Sequence, residues 1–307
     1  MNHFISISDS PIAELHHIFD VAFDLRQERS AGKANRPVLA HKTLAMIFEK
    51  PSLRTRASFE QAMLELGGHA IVMGDAEVGL GKRETAADVA RVLSGIVHGI
   101  VARVFEHQKL IDLAQYATIP VINALSDFSH PCQALADAMT IMDEFGRDLR
   151  GRTVAYVGDG NNVARSLAVL CGRLGMNFIH ACPSGYELER ELTERILAQV
   201  PGMNLQLTHD PVVAVHDADV LYTDTWVSMG KEAEASERLR QFGPYQINSG
   251  LLAAAPAHAI VMHCLPAYRG KEITSEVLEG PRSRVWSQAH NRLHGQKGLL
   301  AVLLGGV

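Results

Sequence analysis

The chain has 307 residues, 47% hydrophobic and 21% charged, enough for a substantial core and more than one domain usually spans, so two domains are expected. Its 29 basic and 34 acidic side chains give a formal charge of -5, which excludes a broad basic field for a nucleic-acid backbone or an anionic membrane, so any anion site must be local. Nothing near Met1 has the order of a signal peptide and no run approaches the about 18 apolar residues of a membrane span, so the expectation is a cytoplasmic protein with no membrane or nucleic-acid partner. The four cysteines, Cys132, Cys171, Cys182 and Cys264, form no CxxC pair, the usage of reduced thiols rather than of a disulfide frame or zinc site. The 15 histidines show no HExxH or mixed Cys/His spacing, and no metal is expected.

In chain order, β-branched runs predict strands near 43–48, 70–73, 100–104 and 121–123, separated by helices near 53–66, 84–97 and 110–117. A long helix over about 131–145 follows and ends at "FGRDLRGR", a charged, glycine-punctuated stretch that divides residues 1–147 from 148–307. The second half restarts the rhythm with strands near 153–157, 177–181, 204–207, 220–222 and 259–262, and a last helix over about 288–304. No internal repeat or low-complexity segment interrupts this alternation. It predicts an α/β fold with mainly parallel, doubly wound sheets.

Four stretches carry chemistry. In "FEKPSLRTRASFE", Phe59, Ala62, Met63 and Leu66 recur at i, i+3, i+4 and i+7, which makes a helix stopped by Gly67 and Gly68. Ser52 and Thr55 stand at its start, where free N–H groups and the helix dipole attract an anion; Arg54 and Arg56 turn that end into a phosphate cradle at the carboxyl end of a strand. In "HPCQALAD", Pro131 suits the first helical position, placing His130 at the cap and Gln133 in the first turn. In "DTWVSMG", Asp224 ends a strand and leads into a Ser-Met-Gly loop able to hold an ammonium group, although the same residues also suit a plain turn. In "HCLPAYRG", adjacent His263 and Cys264 invite a cysteine-hydrolase reading, but neighbours on a strand face opposite ways and make a poor dyad.

Together "SxRTR", "HPxQ", "DxxxSMG" and "HCLP" resemble the aspartate/ornithine carbamoyltransferase family over essentially the whole chain, with "FEKPSLRTR", "DTWVSMG" and "HCLP" matching its ornithine branch. The resemblance implies two α/β domains, residues 1–147 for carbamoyl phosphate and 148–307 for ornithine, linked by two interdomain helices, with the site in the cleft between them and the C-terminal helix packing back on the first domain. It implies carbamoyl transfer to the δ-amine of ornithine, no metal or organic cofactor, and a homotrimer or a multiple of trimers. By the same resemblance, Ser52, Arg54, Thr55 and Arg103 would hold phosphate, with Arg56 close by; His130, Gln133 and Arg292 would contact the carbamoyl group. Asn162, Asp224, Ser228 and Met229 would bind the amino-acid head of ornithine, Asn161 being the less favoured of the asparagine pair. Cys264 and Leu265 would close around the carbamoyl group and amine; the catalytic set is Arg54, Arg103, His130, Cys264 and Arg292.

Two positions depart from the family pattern: Gly79, in a loop where Gln or His is expected to reach a neighbouring subunit, and His290, in "AHNR", where a glutamate is expected. Either Lys82 or Arg83 substitutes for the missing side chain at Gly79, or the contact with the neighbouring subunit is weaker. Alternative readings are transfer to putrescine or an N-acylated ornithine, and a catalytically idle relative. A dinucleotide-binding dehydrogenase is suggested by "YVGDGNNVA", but "NFIHACPSG" has no acidic residue at the next strand end to hold a ribose.

Overall fold

The computed structural model describes residues 2–227 and 230–307. The chain forms two compact units, residues 1–139 with 290–307 and residues 140–289. The divisions fall inside the helices Pro131–Phe145 and Val285–Leu300, so each of these helices supplies residues to both units. Among the described residues, no helix is long and apolar enough to cross a membrane.

In the first unit, β1 (Thr43–Phe48), β2 (His69–Gly74), β3 (Gly99–Arg103) and β4 (Val121–Leu125) form a parallel sheet in the order β2-β1-β3-β4. Every residue of β3 and β4 is buried, as expected for strands covered on both faces. The expected helix at 53–66 runs Leu53–Glu65, with the Ser52 hydroxyl accepting from the Thr55 N–H at 3.4 Å. It ends where Gly67 takes φ +82, and a Cβ there would lie 2.8 Å from Pro37 Cβ, so only glycine fits. The helix expected at 84–97 is shorter, Ala86–Ser94, because Thr85 is its N-cap and bonds the Asp88 N–H at 3.1 Å. A helix not expected from the sequence, Ile12–Ser30, buries Leu15, Ile18, Phe19, Ala22 and Leu25. Gly298 of the last helix lets it approach that surface, since a Cβ there would sit 2.5 Å from Ile18 O.

The second unit contains β5 (Thr153–Val157), β6 (Asn177–Ala181), β7 (Leu205–Thr208), β8 (Val220–Thr223) and β9 (Ile260–His263), all parallel in the order β7-β6-β5-β8-β9. Ala155, Val157, Leu221 and Val261 join Trp226, Phe242 and Tyr245 in one core, while Tyr156 and Tyr222 stack at 5.5 Å. The last helix begins at Val285, earlier than the expected 288, and gives way to a π-helical turn at Ala301–Gly305.

Both sheets wind outward in two directions. The reversal lies between β1 and β3 in the first unit and between β5 and β8 in the second, and open α/β sheets bind ligands at the carboxyl ends of such strand pairs.

Candidate functional site

At the reversal point of the first unit, the carboxyl end of β1 leads through Glu49 and Lys50 to Ser52, and β3 ends at Arg103. Phe48 and Arg103 are direct partners, and the Glu49 N–H bonds Arg103 O at 2.9 Å. Thr55 and Arg54 lie in the first turn of the helix after Ser52, with Thr55 fully buried. Arg292 is also buried; it donates from Nη1 to Gln133 Oε1 at 2.9 Å and from Nη2 to Thr55 Oγ1 at 3.1 Å. Gln133 in turn donates to Asp137 Oδ1 at 2.9 Å. Three sequence-distant segments are thus tied together by one guanidinium.

His130, at the end of the loop before Pro131, is buried against this group. Its pKa lies well below the usual imidazole value, first because burial strips its water and then because Arg292, Arg103, Lys50 and Arg54 are all close enough to repel a proton. His130 is therefore a neutral imidazole at neutral pH. Lys50 is a member of the cluster that the motif comparison leaves without a role. It is buried, its ammonium sits 4.5 Å from the centre of the Phe105 ring, and its pKa is lowered to about 8, chiefly by burial and then by Arg103. Asp127 and Glu49 oppose this shift only in part; Glu49 Oε1 holds Lys109 at 2.6 Å and its Oε2 the Phe105 N–H at 2.7 Å. Arg56, by contrast, is exposed and faces Glu60 at 3.4 Å.

At the reversal point of the second unit, Asp224 follows β8 and is buried. Its Oδ1 accepts from Cys264 Sγ at 3.0 Å and the Thr225 N–H at 2.7 Å, and its Oδ2 from Asn161 Nδ2 at 2.8 Å. Asn161 is also the N-cap of the helix Asn162–Arg173: its Oδ1 accepts from the Val163 and Ala164 N–H groups. This fixes Asn161 in a bridging role and leaves the half-buried Asn162 in the first turn beside it. Ser228 and Met229 lie outside the described residues.

His263 is not set up to deprotonate Cys264. Its Nδ1 accepts from the Leu265 N–H at 2.8 Å, so the ring proton is on Nε2, which donates to Glu272 Oε1 at 3.1 Å. Both nitrogens are committed, although the ligand atoms of Asp224, His263 and Cys264 fall within 4.8 Å of one another and could in principle surround a metal ion. Leu265 takes φ +58, a conformation rare for a branched side chain, and no sequence signal announces it.

The dinucleotide alternative fails on the same geometry. Gly160 is required by packing, since a Cβ would lie 2.7 Å from the backbone of Glu187 and Leu188. Asn161 occupies the N–H groups at the helix start that a pyrophosphate would need. Of the two departures from the family pattern, Gly79 takes φ +60 at the end of a helical turn, with a Cβ only 2.6 Å from Arg83 Cβ, so a larger residue is excluded locally. Lys82 pairs with Asp75 at 3.1 Å, and His290 is exposed.

With these two groups of residues placed, the comparisons with known proteins are decisive. Residues 2–143 match the family described as aspartate/ornithine carbamoyltransferase, carbamoyl-P binding domain, and residues 150–303 match its Asp/Orn binding domain. The chain belongs to this family. It is 51% identical over 306 residues to an ornithine carbamoyltransferase of Pyrococcus abyssi, covering 99% of this chain and 96% of the relative. Among solved structures it is similar to the ornithine carbamoyltransferase of Pyrococcus furiosus, with 49% identity, TM-score 0.95, and 100% and 98% of the two chains covered. It is also similar to an N-acetyl-L-ornithine transcarbamylase, with 30% identity, TM-score 0.88, and 99% and 100% covered.

Proposed function

We infer that the protein is an ornithine carbamoyltransferase: it moves the carbamoyl group of carbamoyl phosphate to the δ-amino group of L-ornithine, giving L-citrulline and phosphate. The observation that carries this reading is the set of cations, Arg54, Arg103, Arg292 and Lys50, gathered about a neutral His130 at the sheet reversal of the first unit. A dianion with a carbonyl attached is the ligand that such a set matches.

In this reading Ser52, Arg54, Thr55 and Arg103 hold the phosphate, and Lys50 adds charge to the same group. His130, Gln133 and Arg292 face the carbamoyl carbonyl. When the neutral amine attacks, the carbonyl oxygen gains charge while the bond to phosphate breaks, and fixed donors aimed at both oxygens lower the barrier. A neutral His130 serves as a hydrogen-bond donor there without surrendering a full charge. Asn162 and Asp224, with Ser228 and Met229, take the α-amino and α-carboxylate groups, and Cys264 and Leu265 line the path of the δ-amine. Residues 1–147, joined by Arg292 of the last helix, bind carbamoyl phosphate, and the remainder of residues 148–307 binds ornithine. We assign a cytoplasmic trimer, or a multiple of trimers, supported by the exposed apolar side chains Leu53, Leu64, Val92 and Ile96 of the first unit; light scattering tests the assembly.

The substrate assay compares ornithine, putrescine, N-acetylornithine and aspartate with carbamoyl phosphate supplied. Ornithine is expected to give the highest kcat/KM, because putrescine leaves the donors for the carboxylate unpaired and acetylation removes the charge that Asp224 meets. At 30% identity, the acetylornithine enzyme is a more distant relative than the ornithine enzymes at 49% and 51%. A higher kcat/KM for putrescine or acetylornithine would overturn the ornithine assignment, and no turnover with any amine would favour an idle relative.

A further inference from the structure

A second cluster of potential ligands lies in the other half of the same sheet. Cys182 directly follows β6, His209 directly follows β7, and Glu187 stands in the loop between β6 and the helix Arg190–Gln199. Their ligand atoms, one thiol, one imidazole nitrogen and one carboxylate oxygen, all lie within 4.8 Å of one another. The two strand ends are held side by side by the Cys182 N–H on Thr208 O at 3.2 Å, and Tyr245 OH fixes the backbone of His209 at 2.7 Å.

The orientation of each group is set from behind. His209 Nδ1 lies 2.9 Å from Cys182 O; a carbonyl can only accept, so Nδ1 carries the proton and Nε2 of the neutral ring presents its lone pair. That lone pair faces Glu187 Oε1 at 3.7 Å. Glu187 cannot easily turn away, because its other oxygen accepts from the Gly185 N–H at 2.8 Å. An imidazole anchored through one nitrogen to a backbone carbonyl, with the other nitrogen open, is the arrangement that protein metal sites use to orient a histidine. The thiol is buried, with Glu187 and Asp159 as its negative neighbours. A lone pair, a carboxylate and a thiol converging on one point call for a cation.

We propose that Cys182, Glu187 and His209 form a binding site for a divalent cation of borderline softness, zinc above all. Thiolate, imidazole and carboxylate together favour zinc over the hard ions magnesium and calcium, which take oxygen ligands. Bonds of about 2.0 to 2.3 Å bring the ligand atoms of a tetrahedral zinc to roughly 3.5 Å apart, so the cluster must contract by about an ångström. The half-exposed side chains of Glu187 and His209 can supply that movement. Three protein ligands leave the fourth position to water. The cluster is separate from the Asp224, His263 and Cys264 group, whose histidine has both nitrogens in use.

Calorimetric titration of reduced full-length protein with Zn²⁺, in a buffer free of phosphate and of amino acids, tests the proposal. One zinc per chain is expected, bound equally by Cys264→Ser, with affinity at least about tenfold weaker in His209→Gln and Glu187→Gln and lost in Cys182→Ser. Co²⁺ in place of zinc should give a thiolate-to-metal absorption band that Cys182→Ser removes. His209→Gln and Glu187→Gln change partly exposed side chains and guard against misreading an unfolded Cys182 variant. If all variants bind like the parent, if only Cys264→Ser loses the metal, or if nothing binds, His209 and Glu187 are an ordinary ion pair and the proposal is wrong.

Discussion

Replacing Arg292 by alanine is the most informative single perturbation of the cation cluster. Arg292 is buried, and its side chain donates to Gln133 Oε1 at 2.9 Å and to Thr55 Oγ1 at 3.1 Å. Alanine leaves both acceptors in a buried setting, at a cost of about 1–3 kcal/mol each if water does not reach them. Against this, the substitution removes one of four mutually repelling cations around His130, which offsets part of the loss. Stability should therefore fall by less than the sum of the two orphaned acceptors. Catalysis has no such offset: losing one charged donor from a site built for developing negative charge should lower kcat by on the order of 10²–10³. Arg292→Lys should recover only part of the loss, since an ammonium cannot span both acceptors as a planar guanidinium does. Steady-state kinetics with carbamoyl phosphate and ornithine, run beside a thermal melt, separates the effects. A folded Arg292→Ala protein with kcat within about threefold of the parent would refute the placement of the carbamoyl site.

Cys264→Ser should keep measurable activity with intersecting initial-rate lines, because the amine can attack directly and both nitrogens of His263 are engaged elsewhere; a carbamoylated Cys264 in a mass spectrum would contradict this. Lys50→Met should raise the KM for carbamoyl phosphate most below pH 8, where Lys50 is charged, and the difference should close as pH rises through its pKa of about 8. A constant difference across the pH range would remove Lys50 from the anion site. Gly160→Ala should lower stability by about 1–3 kcal/mol through overpacking, because its Cβ would meet the backbone of Glu187 and Leu188 at 2.7 Å; an unchanged denaturation midpoint would show that this loop yields freely.

What the sequence disclosed was mostly what local rules determine. Ser52 at a cap, Pro131 at a first helical turn and Asp224 at a strand end each follow from a few neighbouring residues, and the alternation of strands and helices carried the parallel sheets. Lys50 escaped because its burial depends on Phe105 and Arg103, brought to it by pairing of β1 with β3. The tautomer of His263 escaped because it is set by Glu272 and the left-handed turn at Leu265. The glycine-rich "YVGDGNNVA" misleads for the same reason: locally it looks like a phosphate loop, but Gly160 is demanded by a strand-end loop that packs on it from residues 186–188. The N-terminal helix escaped, although Leu15, Ile18, Phe19, Ala22 and Leu25 recur at helical spacing and are all buried.

The cation cluster and the neutral histidine are a single device, and this governs how substitutions in it should be read. The field that would attract an anion in the proposed site also repels a proton from His130. Removing any one cation should weaken anion binding in the proposed site and at the same time let His130 gain a proton more readily. The two effects oppose each other in charge but not in function, because a charged imidazole would partly restore the field while changing the hydrogen-bonding state of the site. The same linkage acts on stability: His130 holds a proton less tightly folded than unfolded, so acid below the ordinary imidazole value of about 6.5 is taken up by the unfolded chain and destabilises the native one. Single substitutions of Arg54, Arg103, Arg292 or Lys50 will therefore not add. Only double-mutant cycles that include His130, measured on both sides of pH 6.5, can separate what each cation contributes to the anion from what it contributes to the histidine.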